Sequence, residues 1–198
     1  MAQEIELKYG LDDDIQFSDL LAGMRRTYPG NWQEISMRTY YYDTSDKALS
    51  SKHWTLRIRL ENNVAVLTLK TPGVGLSRCE WELPEGEIPH DLPQLVDMGA
   101  PKELLNLKPL QILCGARFLR HCCTIEIPGG KVELALDQGI LLGGTKELPF
   151  WELEAELKQG EPQALTAWCE ELAKTWNLQE ETQSKFVRAS RLAGGIYD

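Results

Sequence analysis

Hydrophobic and polar positions alternate with a period of two along most of this chain, the pattern of strands with one face buried. The segments that fit are 3–9, 35–43, 54–60, 64–70, 77–83, 117–127, 132–137 and 150–157. Three of the intervening connections are short: Glu61-Asn62-Asn63, Pro72-Gly73-Val74-Gly75 and Pro128-Gly129-Gly130. Asn and Gly tolerate positive φ, so each fits a hairpin turn, and successive hairpins predict an antiparallel meander. Helical periodicity is rarer. Residues 162–176 place Leu165, Trp168, Cys169, Leu172 and Trp176 on one face, as an amphipathic helix requires. Residues 17–27 predict a shorter helix with Ser18 as its N-cap, stopped by Tyr28-Pro29-Gly30. Residues 92–107 predict a helical and turn-like stretch, and residues 184–192 a last, short helix. The reading is an α+β fold: one domain over residues 1–198, an antiparallel sheet or barrel with helices packed outside.

Composition changes this picture mainly by exclusion. A hydrophobic content of 42% in 198 residues suffices for a core, and no apolar run is long enough to span a bilayer. Charge at Glu4, Glu6 and Lys8 argues against a secretory signal. The five cysteines are odd in number and show no CxxC spacing, so they read as reduced thiols of a cytoplasmic protein. Acids outnumber bases 30 to 21, a net charge of −9, which disfavours nucleic acid as a partner. A small polyanion would need bases focused locally and helped by cations. His53, His90 and His121 form no spaced ligand set and read as surface or loop residues. Phosphate-cradling glycine motifs and nucleophile elbows are missing from the sequence.

The chemistry lies in what the strands carry on their polar faces. Glu4, Glu6 and Lys8 share a face, as do Arg57 and Arg59, with Lys70 across the Asn62-Asn63 turn. Arg78, Glu80 and Glu82 share another, Glu133 and Asp137 another, and Glu152, Glu154 and Glu156 a further one. A sheet with one solvated face is the ordinary alternative. Like charges stacked along one strand are unfavourable, however. Divalent cations on the carboxylates, with Arg and Lys gripping phosphate oxygens, would account for the stacking.

Glu4-Ile5-Glu6-Leu7-Lys8 is similar to the ExExK signature of the CYTH superfamily, the triphosphate tunnel metalloenzymes. The similarity continues through Tyr41-Tyr42-Asp43-Thr44, Leu56-Arg57-Ile58-Arg59, Leu67-Thr68-Leu69-Lys70, Arg78-Cys79-Glu80, Leu136-Asp137, Trp151-Glu152-Leu153-Glu154 and Ser184-Lys185. Ala135-Leu136-Asp137-Gln138-Gly139 resembles most the bacterial inorganic triphosphatase branch. The resemblance implies a closed eight-stranded antiparallel β-barrel whose lumen is a charged tunnel. It implies hydrolysis of inorganic triphosphate (tripolyphosphate) there with Mg²⁺ or Mn²⁺. By position, Glu4, Glu6, Asp137, Glu152 and Glu154 would hold metal. Lys8, Arg57, Arg59, Lys70, Arg120 and Lys185 would bind substrate. Glu80, Asp137 and Lys8 would take part in catalysis, with Glu133 and Glu156 as further lumen residues. Arg120 is preferred to Arg117 as the tunnel arginine for its spacing to Asp137. Class IV adenylyl cyclase and thiamine triphosphatase share the resemblance, and a polyphosphate-binding module is the non-enzymatic alternative. The triphosphatase branch often carries a histidine-rich helical CHAD domain after this one, and here the sequence stops at Asp198. A homodimer is compatible with the sequence.

Overall fold

Residues 2, 3, 5–73 and 78–194 are described by the structure, a computed structural model; for residues 2 and 3 only the backbone is considered. The chain runs β1 (Ala2–Gln3), β2 (Glu6–Gly10), α1 (Asp14–Thr27), β3 (Gln33–Asp43), β4 (Thr55–Glu61), β5 (Val64–Pro72) and β6 (Arg78–Pro84). It continues through α2 (Leu92–Asp97), β7 (Gln111–Ile127), β8 (Gly130–Gly143), β9 (Lys146–Gly160), α3 (Pro162–Trp176), β10 (Gln179–Glu180) and α4 (Lys185–Leu192). All ten strands belong to one antiparallel sheet in the order β1-β6-β5-β4-β3-β7-β8-β9-β2-β10. The described residues form ten strands where eight are expected, in an order that runs from β1 to β10 without closing on itself. β1 and β2 stand far apart in the sheet order but are separated in sequence only by residues 4 and 5.

The turns explain the meander. Asn62 and Asn63 both take positive φ, 48° and 72°, as a two-residue hairpin between β4 and β5 demands. Gly129 (φ 81°) turns β7 into β8, and Gly144 (φ 60°) turns β8 into β9. The last hairpin lengthens β8 and β9 well beyond the predicted 132–137 and 150–157. The turn expected at 72–75 and the strand start at Ser77 lie partly outside the described residues.

The helices start and stop where side chains permit. Asp13, not Ser18, caps α1: its carboxylate accepts from the Gln16 amide at 2.9 Å. Asp14 in the first turn and Arg25 and Arg26 in the last suit the helix dipole. The segment 92–107 is helical and turn-like, as expected: α2 ends, Gly99 at φ 102° and Pro101 interrupt it, and a 3-10 turn follows at Lys102–Asn106. No described helix is long and apolar enough to cross a membrane.

Two apolar clusters cover one face of the sheet. Phe17, Leu20 and Met24 of α1 and Leu165, Cys169 and Leu172 of α3 pack on Leu134, Leu136, Leu153 and Ala155. Leu92 and Leu95 of α2 pack on Leu56, Leu67, Leu69 and Trp81. Each fully buried Leu or Phe among them contributes about 1.5–3 kcal/mol of transfer free energy. The third cluster corrects the expectation of helices packed only outside. Phe186 and Ala189 of α4 pack with Met37, Tyr41, Ala116, Phe118, Leu141 and Phe150. By strand alternation these belong to the opposite face, the one that carries the charges. Gly143 permits this docking: a Cβ there would lie 2.5 Å from the Ala189 carbonyl oxygen and the Ala193 amide nitrogen.

Candidate active site

Register decides which charges meet. On the β2–β9–β8–β7 run, Lys8 lies opposite Glu154, and Arg120 opposite Asp137, which is opposite Glu152. On the other side, Lys70 lies opposite Glu80 and Thr55, and Arg57 and Arg59 oppose Thr68 and Val66. With side chains alternating, Lys8, Arg57, Arg59, Lys70, Glu80, Arg120, Asp137, Glu152 and Glu154 all share one face of the sheet.

The deepest part is a charge cluster. Asp137 and Glu152 have no solvent exposure. Arg120 forks onto Asp137, with Nε at 2.8 Å from Oδ1 and Nη2 at 2.7 Å from Oδ2, and Nη2 also reaches Glu154 Oε2 at 2.5 Å. Lys185, at the start of α4, donates to Glu154 Oε1 at 2.8 Å and to Glu152 Oε1, and lies 2.7 Å from Asp137 Oδ2. Arg188, one turn further along α4, donates to the second oxygen of Glu152. The cations rest on an aromatic floor: Phe118 and Phe150 meet edge to face at 5.7 Å. Lys185 Nζ stands 5.0 and 5.4 Å from their centroids, and Arg188 lies 5.5 Å from that of Phe150, within the range of cation–π attraction.

Burial opposes every charge here, and the partners decide the outcome. Burial works against the Glu154 carboxylate, yet Lys185, Arg120 and Lys8 hold it well below the usual carboxylate range. Burial pushes Glu152 up, against the pull of Lys185 and Arg188. Burial also acts against the Lys185 ammonium, which Asp137, Glu152 and Glu154 hold charged well above its ordinary value.

The β4–β5 side is richer in bases. Glu80 lies 3.8 Å from Arg57 and 3.3 Å from Lys70. Arg59 pairs with Glu61 at 2.5 Å and approaches Glu82 at 3.7 Å. Burial and the nearby Arg57 and Arg120 charges lower Arg59, which ties this side to the deep cluster. Among the described residues, the buried Nε groups of Arg57, Arg59 and Arg188 have no hydrogen-bond partner.

Of the residues expected from sequence, this face brings together Lys8, Arg57, Arg59, Lys70, Glu80, Arg120, Asp137, Glu152, Glu154 and Lys185. Glu4 lies outside the described residues. Glu6 is on the same face, exposed and opposite Glu156, apart from the deep carboxylates. Glu133 lines a cavity of about 250 Å³ with Asn31, Gln33, Cys122 and Thr124 at the end of this face. Arg117 points the other way, half exposed beside Glu147 at 3.3 Å. His121 is no surface residue: it is buried on the outer face, 3.2 Å from Arg25. Sequence reasoning missed Arg188, although its i, i+3 spacing from Lys185 on a predicted helix carried the signal. The donor chemistry fits a hard divalent ion, since ligand oxygens of Asp137, Glu152 and Glu154 lie within 4.8 Å of one another.

A model of the CYTH domain matches residues 2–190 of the chain. The chain is 35% identical over 194 residues to the inorganic triphosphatase of Haemophilus influenzae, an alignment covering 95% of this chain and 54% of that protein. It thus spans about half the length of that relative. HpAC1 of Hippeastrum, provisionally named an adenylyl cyclase and described as having a dominant triphosphatase activity, shares the fold. It is 20% identical, with a TM-score of 0.65 over 98% of this chain and 97% of that one. The Mimivirus capping enzyme triphosphatase does so at 12% identity and a TM-score of 0.51, over 89% of each chain.

Proposed function

The chain belongs to the CYTH domain family, and from that premise we propose that it hydrolyses inorganic triphosphate to pyrophosphate and phosphate. The observation that carries this reading is the convergence on one sheet face of Arg57, Arg59, Lys70, Arg120 and Lys185 with Asp137, Glu152 and Glu154. A compact polyanion with a hard cation satisfies both sets, and the orphaned guanidinium Nε groups favour an anionic oxygen in the same space.

The sheet encloses that face in a barrel on our reading. β1 pairs with β6 and β2 pairs with β9. Counted as one N-terminal strand joining both, β1 and β2 would close a ring with the seven strands β3 to β9, eight in all. α4 then stands at one end as a plug, so the charged space is reached from the other.

Phosphoryl transfer needs charge stabilisation and positioning more than covalent chemistry. Arg57, Arg59 and Lys70 bind the phosphate oxygens, Arg by forks and Lys as a point charge. Arg120, Lys8 and Lys185 stand on the side nearest the carboxylates. Asp137, Glu152 and Glu154, with Glu6 nearer the mouth, would hold Mg²⁺ or Mn²⁺, which would supply charge neutralisation to the phosphate chain. Glu80, between Arg57 and Lys70, accepts a hydrogen bond from the attacking water. The water oxygen bonds to a terminal phosphorus, the bridging P–O bond breaks with pyrophosphate departing, and the water's proton is released. Asp137, gripped at both oxygens by Arg120, positions rather than abstracts.

Phosphate release is the test, with the full chain given tripolyphosphate, ATP or thiamine triphosphate in Mg²⁺, Mn²⁺ or chelator. Equimolar phosphate and pyrophosphate from tripolyphosphate, dependent on metal, is the outcome expected. Cyclic AMP from ATP would assign a cyclase instead. Tripolyphosphate binding without turnover under either metal would assign a binding module.

A further inference from the structure

Among the described residues, Lys185 Nζ is the one cation that touches all of the deep carboxylates, through Glu152 Oε1, Glu154 Oε1 at 2.8 Å and Asp137 Oδ2 at 2.7 Å. Those same residues are the group whose oxygens converge within 4.8 Å. An ammonium among three carboxylates makes the contacts that a small divalent ion would make, with oxygen neighbours on several sides and charge balanced locally. Both cannot sit there. Two like charges held a few ångströms apart in a buried site repel strongly even at an effective dielectric constant of about 20.

We infer that Lys185 is an internal counter-ion that holds the carboxylate cluster closed to divalent metal until a phosphate chain draws its ammonium away. The inference rests on the proposed metal position at Asp137, Glu152 and Glu154. The fold gives Lys185 somewhere to go. It sits in the first turn of α4, capped by Ser184 through the Val187 amide at 3.2 Å, so its four-carbon stem can swing without moving the helix. The Tyr41 side, where Arg57 and Lys185 both act on the phenol, lies toward the base-rich half where phosphate would bind. Moving the ammonium there adds a phosphate contact and frees the carboxylate oxygens in one step. Phosphate and metal binding are thereby coupled, and the coupling is reciprocal. Arg120 and Arg188 remain as fixed partners: Arg120 is forked onto Asp137, and Arg188 also reaches Glu181 at 3.5 Å.

Binding of Mn²⁺ alone, without any phosphate, tests this by electron paramagnetic resonance and equilibrium dialysis on the full chain. Wild type should bind Mn²⁺ weakly, and Lys185→Met should bind it roughly ten- to hundredfold more tightly. Glu154→Gln in the Lys185→Met background should remove that gain, placing the ion at the cluster. Lys185→Met leaves buried carboxylates short of a partner, and circular dichroism should show it folded, or folding on addition of Mn²⁺. A variant that stays unfolded in Mn²⁺ overturns the inference. Equal Mn²⁺ affinity in wild type and Lys185→Met also overturns it, while leaving the proposed function standing if tripolyphosphate is still cleaved. Mn²⁺ binding that is indifferent to Glu154→Gln in both backgrounds would instead move the metal elsewhere and take the proposed metal position with it.

Discussion

The two sides of the charged face hold their charges differently. On the β8–β9–α4 side, Arg120 and Lys185 lie 2.5–2.8 Å from Asp137 and Glu154, and the carboxylates are wholly or largely buried. On the β4–β5 side, Glu80 stands 3.3 and 3.8 Å from its cations, and Arg57 and Arg59 keep buried Nε groups without a hydrogen-bond partner among the described residues. The acid-rich side is more closely paired, although Arg188 there also keeps a buried Nε without a hydrogen-bond partner among the described residues. On the function proposed above, the base-rich side would receive the anion. A buried ion pair adds little net stability, whereas removing one member of it is costly. Such a cluster is therefore better understood as machinery than as a source of stability.

Breaking the acid-rich side should have the largest effect on turnover. Glu154→Gln keeps the shape and removes a charge that Arg120 and Lys185 both touch; kcat should fall about a thousandfold, comparable with losing a strong electrostatic contact in a transition state. Steady-state kinetics with a circular dichroism control checks this, and near-wild-type kcat would remove Glu154 from the mechanism. Breaking the base-rich side should act on binding instead. Arg59→Met should raise KM for tripolyphosphate roughly ten- to hundredfold with a smaller change in kcat, measured over a substrate titration.

Gly143→Val tests the support that α4 gives to both. A side chain there meets α4 backbone at 2.5 Å, so denaturant unfolding should show a loss of about 1–3 kcal/mol. Acid separates the paired carboxylates. Glu154, held below its ordinary value, stabilises the fold above the unfolded carboxyl value of about 4.3 and loses that contribution as pH falls through its depressed value. Glu152, held up by burial, acts with the opposite sign. Thermal melts should therefore fall more steeply with acid in wild type than in Glu154→Gln. Arg117→Ala, on the outer face, should change stability by less than about 0.5 kcal/mol and leave kinetics unchanged; a large loss there would blur the contrast with Arg120.

What could be read beforehand followed the period of the strands. Arg57, Arg59, Glu152 and Glu154 occupy alternate positions, so the charged face was legible before any contact was known. The Asn62-Asn63 turn was legible for the same local reason, since few residues accept two positive φ values in succession. Long-range packing was not legible. Nothing near Lys185 announces that α4 lies on the charged face and not outside, because that placement depends on Gly143 and on Phe118 and Phe150 from other strands. The α1 cap was misplaced because Asp12-Asp13-Asp14 offers an earlier oxygen than Ser18. The stretch 92–107 was legible as helical and turn-like, in keeping with Gly99 and Pro101 inside it.

A crystal structure of the chain with Mn²⁺ and a non-hydrolysable imido analogue of tripolyphosphate bears most directly on the function. The anomalous signal of manganese should fall among Asp137, Glu152 and Glu154, with phosphate oxygens against Arg57, Arg59, Lys70 and Arg120. Manganese or phosphate located on the opposite face of the sheet, with these side chains still paired only to one another, would contradict the account.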